Sequence, residues 1–579
     1  MKKIASLFII ALFSFIPSTH NSISEHCVSA DPRHFSLSSP VRYPISMTGS
    51  FGELRNNHFH AGVDIRTNRG EGGDEILSAA DGFVSRIKID GGDYGKSIFI
   101  EHANGFTTMY AHCLGFRADL ESYIKNEQYS KQKFKVDVTF PPGQFQVKAG
   151  DHIAYIGNTG ASRGAHLHFE LRETNSDKVF DPLLFGLPIT DNISPLLRRV
   201  KLYGFDSYGN TVSEQIQWSA KINKNYTIYS VPGDLFSAGV DALDRSNNSW
   251  NWTGIKSIQM LIDGGLFYHY NSEQWSLNQT RDINAHIDYP SKLKAQGQFH
   301  RCFKLVGSKI DVYQTIQNDG IFYMNDGAVH NVQLIIQDGS GNSSKVEFGI
   351  KKSEYFKKEE PISTTPSLEY NKSHTLQFTN QSYILFPEGC LFENIHYSQV
   401  DETNGSSNAF SNWIGINPTT IPLADYIEIG IKPNKELLLP EQKEKCFIAQ
   451  KRAGGAYVSI GGEWNGEHMI AHSKYLGSFA MMSDLVAPSL KPLGFKYNMS
   501  KNKFMSFHVQ DNVPAIVDGD ELVCDAFIDG QWILMDYDEK SHTVKHYFED
   551  WLMSGKHELL IRLIDHCKNV KEYNYTFVR

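Results

Sequence analysis

The sequence predicts a mostly β chain made of several domains. Short runs alternate apolar and polar residues, as in Gly82–Ile89, and turn-forming clusters rich in glycine separate these runs. The length of 579 residues corresponds to about three to five domains of ordinary size. Hydrophobic residues make up 41% and aromatic residues 12%, so the composition is that of packed domains rather than of a disordered chain.

Charge and cysteine content narrow the classes of function. Lys and Arg number 56 against 65 Asp and Glu, a net charge of −9, and no basic run stands out. Nucleic acid is therefore not an expected partner. The seven cysteines are far apart and form no C-x-x-C pair, which argues against a disulfide scaffold and against a thiolate zinc site.

The amino terminus predicts export. Lys2 and Lys3 precede an apolar run, 4–16, which is too short to span a membrane and is typical of a signal peptide, assigned here to residues 1–24. The alternatives are a buried amino-terminal helix and a lipid anchor on Cys27, whose flanking residues are unlike those of a lipoprotein signal. No later run is long and apolar enough for a membrane span, so we expect the mature chain in the periplasm or elsewhere in the cell envelope or outside the cell.

The first domain is predicted over residues 40–188. Gly82–Ile89 is expected to form a strand, residues 90–95 a turn, and Lys96–Glu101 the return strand of a hairpin. Residues 116–135 break this pattern, because Leu120 and Ile124 lie four apart among polar residues and predict a short amphipathic helix.

An internal echo divides the rest of the chain. His330 is followed eight residues later by Asp338 and four further on by Asn342, and His557, Asp565 and Asn569 repeat these spacings. A strand, an aspartate-headed turn and another strand are typical of the end of a β-sandwich. The sequence therefore predicts immunoglobulin-like sandwiches over 190–355 and 486–579, with a further β-rich domain over 366–485 behind a Ser/Thr/Pro linker.

Three histidine-containing pieces of the first domain predict a metal site. His166 and His168 are two apart on a predicted strand and so project side by side from one face. Catalytic zinc needs about three nitrogen or oxygen ligands, and one of these two histidines with His60 and Asp64 would supply them. Zinc lowers the pKa of its water and polarises a carbonyl, and the remaining histidine of the pair and His112 are candidates for proton transfer or oxyanion stabilisation.

These residues resemble the lysostaphin/LytM-type zinc metallopeptidases, which cut peptide bridges of bacterial peptidoglycan. That family has His-x-x-x-Asp, Tyr-x-His and His-x-His in this order, with a Gly-Asn-Thr-Gly turn before the last motif, and the likeness extends over residues 45–186. The resemblance implies an antiparallel β metallopeptidase domain with His60, Asp64 and His168 as ligands of one Zn²⁺ and with His112 and His166 as catalytic residues. This chain departs from the family by an insertion at about 116–142, which could cover the groove, dock a protein partner or be a surface loop.

The function implied is an exported zinc endopeptidase that hydrolyses the peptide cross-links of peptidoglycan stems, with a zinc-bound water as nucleophile and two histidines assisting. One alternative is a non-catalytic or autoinhibited wall-binding protein that regulates other wall hydrolases. Another is an adhesion or carbohydrate-binding protein, because about two thirds of the chain is β-rich accessory sequence.

Four other features weigh less as functional sites. Ser162 lies in a G-x-S-x-G sequence, but a His-x-His strand rather than a helix follows it. His58 fails the His-x-x-x-Asp spacing that His60 satisfies. His468 and His472 lack the glutamate of a zincin helix, and Cys113 next to His112 is not needed by a complete metal set.

Overall fold

The computed structural model describes residues 35–353, 366–402, 409–434, 436, 438–452, 455–515 and 522–579, and the prediction of a mostly β chain is confirmed. The predicted signal peptide, residues 1–24, lies outside the described residues, as does most of the predicted linker. Within the described part of the chain, no helix has the length and apolarity needed to cross a membrane.

The first domain is an antiparallel β structure with one inserted helix. Its main sheet has the order β1-β2-β11-β6-β5-β4-β8, and a three-stranded sheet, β3-β10-β7, lies beside it. The elements are β1 (Met47–Gly49), β2 (Val63–Arg66), β3 (Glu75–Leu77), β4 (Gly82–Ile89), β5 (Lys96–Glu101), β6 (Phe106–Ala111), β7 (Cys113–Phe116), α1 (Ala118–Lys131), β8 (Val136–Thr139), β9 (Gln146–Val147), β10 (His152–Ile156), β11 (His166–Glu173), β12 (Lys178–Phe180) and a 3-10 helix, Pro182–Phe185.

The predicted hairpin and helix are both present. Strands β4 and β5 pair antiparallel on either side of the turn, as alternation and the glycine cluster predicted. The insertion folds as α1 and β8, and Leu120 and Ile124 are the buried face of α1. Strand β8 pairs with β4, so the insertion extends the edge of the main sheet.

The second unit consists of two sheets, which pack against the first domain. The sheet orders are β14-β13-β16-β20, with β22 on β16, and β15-β24-β23-β17-β18-β21. Strand β19 pairs with β12, and one hydrophobic core runs through both units. The elements are β13 (Leu196–Phe205), β14 (Thr211–Trp218), α2 (Ser219–Ile222), β15 (Ile228–Val231), β16 (Leu235–Leu243), β17 (Ser257–Ile262), β18 (Gly265–Asn271), β19 (Gln274–Ser276), a 3-10 helix (Leu277–Asp282), α3 (Ile283–His286), α4 (Tyr289–Leu293), β20 (His300–Arg301), β21 (Tyr313–Ile316), a 3-10 helix (Asn318–Gly320), β22 (Phe322–Tyr323), β23 (His330–Gln337) and β24 (Ser343–Lys352).

The third unit contains two five-stranded antiparallel sheets around its own core. Their orders are β26-β27-β31-β35-β34 and β29-β30-β36-β32-β33, and β25 pairs with β28. The elements are β25 (Ser367–Leu368), β26 (His374–Gln377), a 3-10 helix (Thr379–Gln381), β27 (Tyr383–Phe386), β28 (Ile395–His396), β29 (Ser398–Glu402), β30 (Trp413–Asn417), β31 (Ile427–Ile431), a 3-10 helix (Pro440–Lys445), β32 (Cys446–Lys451), β33 (Tyr457–Ser459), β34 (Glu463–Asn465), β35 (His468–Ser473) and β36 (Ser478–Ser483).

The fourth unit has two four-stranded sheets, β37-β38-β42-β41 and β40-β39-β43-β44. A small apolar cluster that includes Phe447, Val513 and Cys567 joins it to the third unit. The elements are β37 (Ser489–Pro492), β38 (Phe504–Gln510), β39 (Val523–Ile528), β40 (Gln531–Ile533), β41 (Asp536–Asp538), β42 (Thr543–Tyr547), β43 (Lys556–Ile564) and β44 (Val570–Val578).

The sequence echo corresponds to a repeated piece of sheet. In both copies the turn aspartate accepts hydrogen bonds from the backbone and side-chain nitrogens of the asparagine four residues later, Asn342 on Asp338 and Asn569 on Asp565. The strand order β24-β23-β17-β18 in the second unit corresponds to β44-β43-β39-β40 in the fourth. The two units therefore share a sheet arrangement, while the predicted domain boundaries and the immunoglobulin-like topology stay predictions.

Candidate metal centre

Strand pairing brings the predicted site residues to one place. Strand β11 lies between β2 and β6, and its His168 is paired with Asp64 on one side and Ala111 on the other. His166 is two residues away on the same face of β11, and His112 immediately follows β6. All five predicted residues are thereby collected from three separate segments of the sequence.

His60, Asp64 and His168 converge on a common point. The Nε2 atom of His60 and the Nδ1 atom of His168 lie 3.0 and 2.9 Å from the same oxygen of Asp64, Oδ1, and 3.0 Å from each other. All three residues are about 95% buried. Two imidazole nitrogens and a carboxylate oxygen that meet at such distances are a donor set suited to zinc, so the residues present fit this metal.

Neighbouring groups fix the orientation of both imidazoles. The Nδ1 atom of His60 lies 2.8 Å from the backbone oxygen of Ser50, which leaves Nε2 to face Asp64. The Nε2 atom of His168 lies 2.8 Å from Glu170, which leaves Nδ1 to face Asp64. Glu170 is fully buried and accepts a hydrogen bond of 2.6 Å from Arg172. Such partners hold a ligand ring in place and increase its basicity.

His112 and His166 stand next to the cluster and to each other. Their ring centroids are 4.8 Å apart, and the His112 ring is 5.8 Å from that of His168. The Nδ1 atom of His112 lies 2.9 Å from the backbone oxygen of Thr159, and that of His166 lies 2.8 Å from the oxygen of Gly164. Because a carbonyl oxygen can only accept, Nδ1 carries the proton in both rings, and Nε2 of the neutral ring is left as a base.

The turn before β11 supports His112 through close backbone packing. Gly160 has a φ of 70°, and a Cβ atom at this position would lie about 2.5 Å from backbone atoms of residues 92–95. The second glycine of the Gly-Asn-Thr-Gly sequence is therefore required both by its left-handed conformation and by space. His112 itself has a φ of 60°, uncommon for a non-glycine residue, which this packing maintains.

Burial and charge set the protonation of the cluster. Burial lowers the pKa of His60 to about 4, and burial with the charges of His168 and His166 lowers that of His112 to about 3. Burial also acts to lower the pKa of His168, but hydrogen bonds to Asp64 and Glu170 outweigh it and raise this pKa to about 9. Despite its burial, Asp64 has a pKa well below its usual value because His60, His166 and His168 surround it. The aspartate is thus a carboxylate, and His60 and His112 are neutral near pH 7.

Sequence reasoning missed the residues that support the ligands. Glu170 and Arg172 continue the alternation of His166 and His168 on one face of β11, a signal that was present in the sequence. Arg55 donates a hydrogen bond of 2.7 Å to Oδ2 of Asp64, the oxygen that does not face the histidines. No spacing rule predicts Arg55, because it lies in an irregular segment that only the fold brings to Asp64.

The features given less weight lie outside the cluster. Ser162 donates to the oxygen of Gly164 and lies 3.2 Å from Nδ1 of His166, and no helix follows it. His58 contacts the backbone of Asn56 rather than the metal ligands. His468 and His472 are on strand β35, and Cys113 is fully buried, with its pKa raised to about 12 by that burial.

Comparison with known proteins places two family matches on the chain. Residues 58–129 and 131–182 match Peptidase family M23, and residues 365–484 match the Zu5-like domain. The resemblance to lysostaphin/LytM-type peptidases is thus confirmed for the first domain.

Curated relatives match the same region. The DD-carboxypeptidase/endopeptidase Mpg of Neisseria meningitidis serogroup B is 31% identical over 152 residues, which are 26% of this chain and 27% of that protein. The cell division protein DipM of Caulobacter vibrioides is 26% identical over 176 residues, 29% of this chain and 25% of that protein. The chain therefore spans about a quarter of the length of these relatives.

Solved structures match there too. The catalytic domain of the prophage-encoded M23 protein EnpA from Enterococcus faecalis is 23% identical and aligns with 25% of this chain and 94% of that chain, with a TM-score of 0.19. A zinc-containing peptidase from Vibrio cholerae is 26% identical and aligns with 26% of this chain and 41% of that chain, with a TM-score of 0.19.

Proposed function

We propose that this chain, whose first domain matches Peptidase family M23, is an exported zinc-dependent endopeptidase that hydrolyses peptide cross-links of bacterial peptidoglycan. The observation that carries the proposal is the convergence of His60, Asp64 and His168 within hydrogen-bond distance of one another, with His112 and His166 beside them. The name of the Neisseria relative, a DD-carboxypeptidase/endopeptidase, supports a peptidase acting on the wall. The basic and apolar residues at 2–16 support export.

His60, Asp64 and His168 would hold the metal through Nε2, Oδ1 and Nδ1. When bound there, zinc supplies a Lewis acid that polarises the scissile carbonyl and acidifies water. The chain supplies the rest: His112 and His166 have their Nδ1 atoms against backbone oxygens, so the Nε2 atom of each ring is the one placed for proton transfer to and from the reacting groups. During the reaction Ser50 and Glu170 would keep the imidazole rings of His60 and His168 in their orientations.

The test separates the ligands from the catalytic residues. We expect His60→Ala, Asp64→Ala and His168→Ala to lose bound zinc, measured by metal analysis of the full chain. His166→Ala should retain zinc and lose about 10²–10⁴-fold in turnover. Mass spectrometry of muropeptides from purified sacculi would report hydrolysis and the bond cut. Intact cross-links after incubation with zinc-loaded wild-type protein, or equal zinc loss in all four variants, would contradict the proposal.

A second candidate is an autoinhibited wall-binding protein that regulates other hydrolases. A specific contact favours considering it: the Nζ atom of Lys540, in the fourth unit, donates to the backbone oxygens of Asn158 and Gly160 in the turn beside His112. The DipM relative is named as a cell division protein rather than as a peptidase. Hydrolysis that appears only when this contact is removed would favour the second candidate.

A further inference from the structure

Two clusters of three aspartates lie outside the histidine site, one in each unit that carries the sequence echo. Carboxylate oxygens of Asp191, Asp244 and Asp338 lie within 4.8 Å of one another in the second unit. The same is true of the fourth-unit cluster, and its members are Asp484, Asp511 and Asp565. We call these the second-unit triad and the fourth-unit triad.

The triads match position by position. Asp338 and Asp565 head the two echoed turns, and Asp244 and Asp511 directly follow strands β16 and β38. Asp191 and Asp484 each stand four residues before a proline and accept a hydrogen bond from the backbone nitrogen two residues on.

The asparagine of each echoed turn ties the triad together. The side-chain nitrogen of Asn342 donates to the backbone oxygen of Asp191 at 3.3 Å, and that of Asn569 donates to the backbone oxygen of Asp484 at 3.0 Å. One arrangement is thus built twice from sequences that share little else.

Each triad also contains a buried carboxylate oxygen that no described residue satisfies. Asp484 is 2% exposed and Asp244 is 3% exposed, yet Oδ2 of Asp484 and Oδ1 of Asp244 have no hydrogen-bond partner among the described residues. A buried carboxylate oxygen without a donor is costly, and in natural proteins a bound water or ion usually satisfies it.

Charge points the same way. Within the described ranges, no lysine or arginine forms an ion pair with any of the six aspartates, and the one basic side chain that meets them is the imidazole of His566, 3.8 Å from Asp511. Burial and the charges of Asp338 and Asp191 raise the pKa of Asp244 to about 7, and burial with the charges of Asp484 and Asp565 raises that of Asp511 to about 6. Each triad is therefore a concentration of negative charge that a cation would neutralise.

We propose that each triad binds one calcium ion, two per chain, through an oxygen of each aspartate. Carboxylate oxygens without nitrogen or sulfur ligands are the donor set of hard cations, in contrast to the His-His-Asp set of the first domain. Both sites lie at junctions, because Asp191 follows the M23 match that ends at residue 182 and Asp484 is the last residue of the Zu5-like match. Calcium would link the first segment of each unit, which contains Asp191 or Asp484, to the echoed turn headed by Asp338 or Asp565.

The test is a calcium titration of the full zinc-loaded chain, after removal of calcium with a selective chelator, followed by calorimetry. We expect two ions bound in the wild type, one in Asp244→Asn, one in Asp511→Asn and none in the double variant, at calcium concentrations up to about 10⁻³ M. Asparagine keeps the size of the side chain and removes its charge. A calcium-dependent rise in melting temperature, absent from the double variant, is the second expected result.

Asp206 provides a matched control. It heads a third turn of the same design, in which Asn210 donates to both of its oxygens at 2.9 Å, but it belongs to neither triad. Asp206→Asn should still bind two calcium ions. No calcium bound by the wild type, two ions bound by the double variant, or equal affinity for magnesium would overturn the proposal. Zinc content and wall hydrolysis would be measured on the same samples. If the proposed peptidase activity were wrong, these two values would be low while calcium binding was unchanged.

Discussion

Arg55 holds Asp64, the proposed aspartate ligand, from the side away from the histidines. Its guanidinium donates to Oδ2 of Asp64 at 2.7 Å and lies 2.9 Å from Glu53. Oδ1 of Asp64 faces both imidazoles, so one oxygen of the carboxylate contacts the histidines and the other contacts Arg55. A positive group on the outer oxygen fixes the rotation of the carboxylate, and Oδ1 then points to the place where His60 and His168 converge.

We therefore predict that Arg55→Gln weakens zinc binding by about 10-fold, within the range typical of groups that orient metal ligands. The dissociation constant would be measured by competition with a chromogenic chelator. Arg42→Gln is the control, because it removes a surface pair with Glu75 that does not touch the site. Unchanged affinity in Arg55→Gln would mean that the strand pairing of Asp64 alone orients its carboxylate.

The five central residues of the site could be predicted from sequence because each lies in a short motif of fixed spacing. Strand geometry explains why: His166 and His168 share a face only because they are two apart. Arg55 and Ser50 could not be predicted, because their roles depend on an irregular loop folding back on β2. Glu170 is intermediate, since its position on the strand was readable but the buried pair with Arg172 was not.

At the scale of elements, α1 connects the first domain to the fourth unit. The hydroxyl of Tyr129 donates to Glu549 at 2.6 Å, and its ring meets the edge of Trp532 at 5.3 Å. Lys125, one helical turn earlier, pairs with the same glutamate at 2.9 Å. Of the roles considered for the insertion, docking is the one that these contacts support, with a unit of the same chain as the partner.

We predict that Tyr129→Ala destabilises the docking of the fourth unit on α1. The substitution removes a hydrogen bond and an aromatic contact, which together contribute about 1 kcal/mol. Amide hydrogens of β40 and β42 should exchange about fivefold faster, as measured by mass spectrometry. Tyr123→Ala is the matched control on the same helix, since its ring packs on Phe140 and Phe145 inside the first domain. Equal acceleration in both variants would show that helix stability, rather than docking, controls exchange.

Element prediction succeeded where the signal was local and failed where pairing was distant. The hairpin of β4 and β5 and the helix α1 follow from alternation and spacing within 20 residues. The pairing of β12 with β19 joins residues 94 to 98 positions apart in the sequence. No turn or motif in the sequence predicts this pairing. The outer edge of β12 gains its hydrogen-bonding partner only when the second unit packs on the first domain.

At the scale of the whole molecule, the fourth unit contacts the side of the first domain that carries the candidate site. Glu539 packs against Gly91 and Gly92 and lies 3.3 Å from Lys135, and Lys540 donates to the oxygens of Asn158 and Gly160. These contacts link residues about 380 to 450 apart in the sequence. They converge on the two turns whose packing places His112.

The contact of Lys540 leads to a prediction about turnover. Asn158 and Gly160 flank Thr159, whose backbone oxygen accepts the Nδ1 proton of His112. The ammonium group of Lys540 holds this turn in place, so its removal should make the position of His112 less well defined. We expect kcat to fall about fivefold, the loss typical of one weakened charge-assisted contact. Zinc content of Lys540→Ala should equal that of the wild type, because the proposed ligands His60, Asp64 and His168 come from other segments of the chain.

Two further variants make the result decisive. Lys540→Arg should recover most of the activity, because a guanidinium can reach the same carbonyl oxygens. Lys556→Ala, which loses an exposed pair with Glu558 in the same unit, should behave as the wild type. A rise in kcat for Lys540→Ala would reverse the interpretation: the tip of the fourth unit would then obstruct the groove, and the chain would be an enzyme held inactive by its own carboxy-terminal unit until a partner or the wall displaces it.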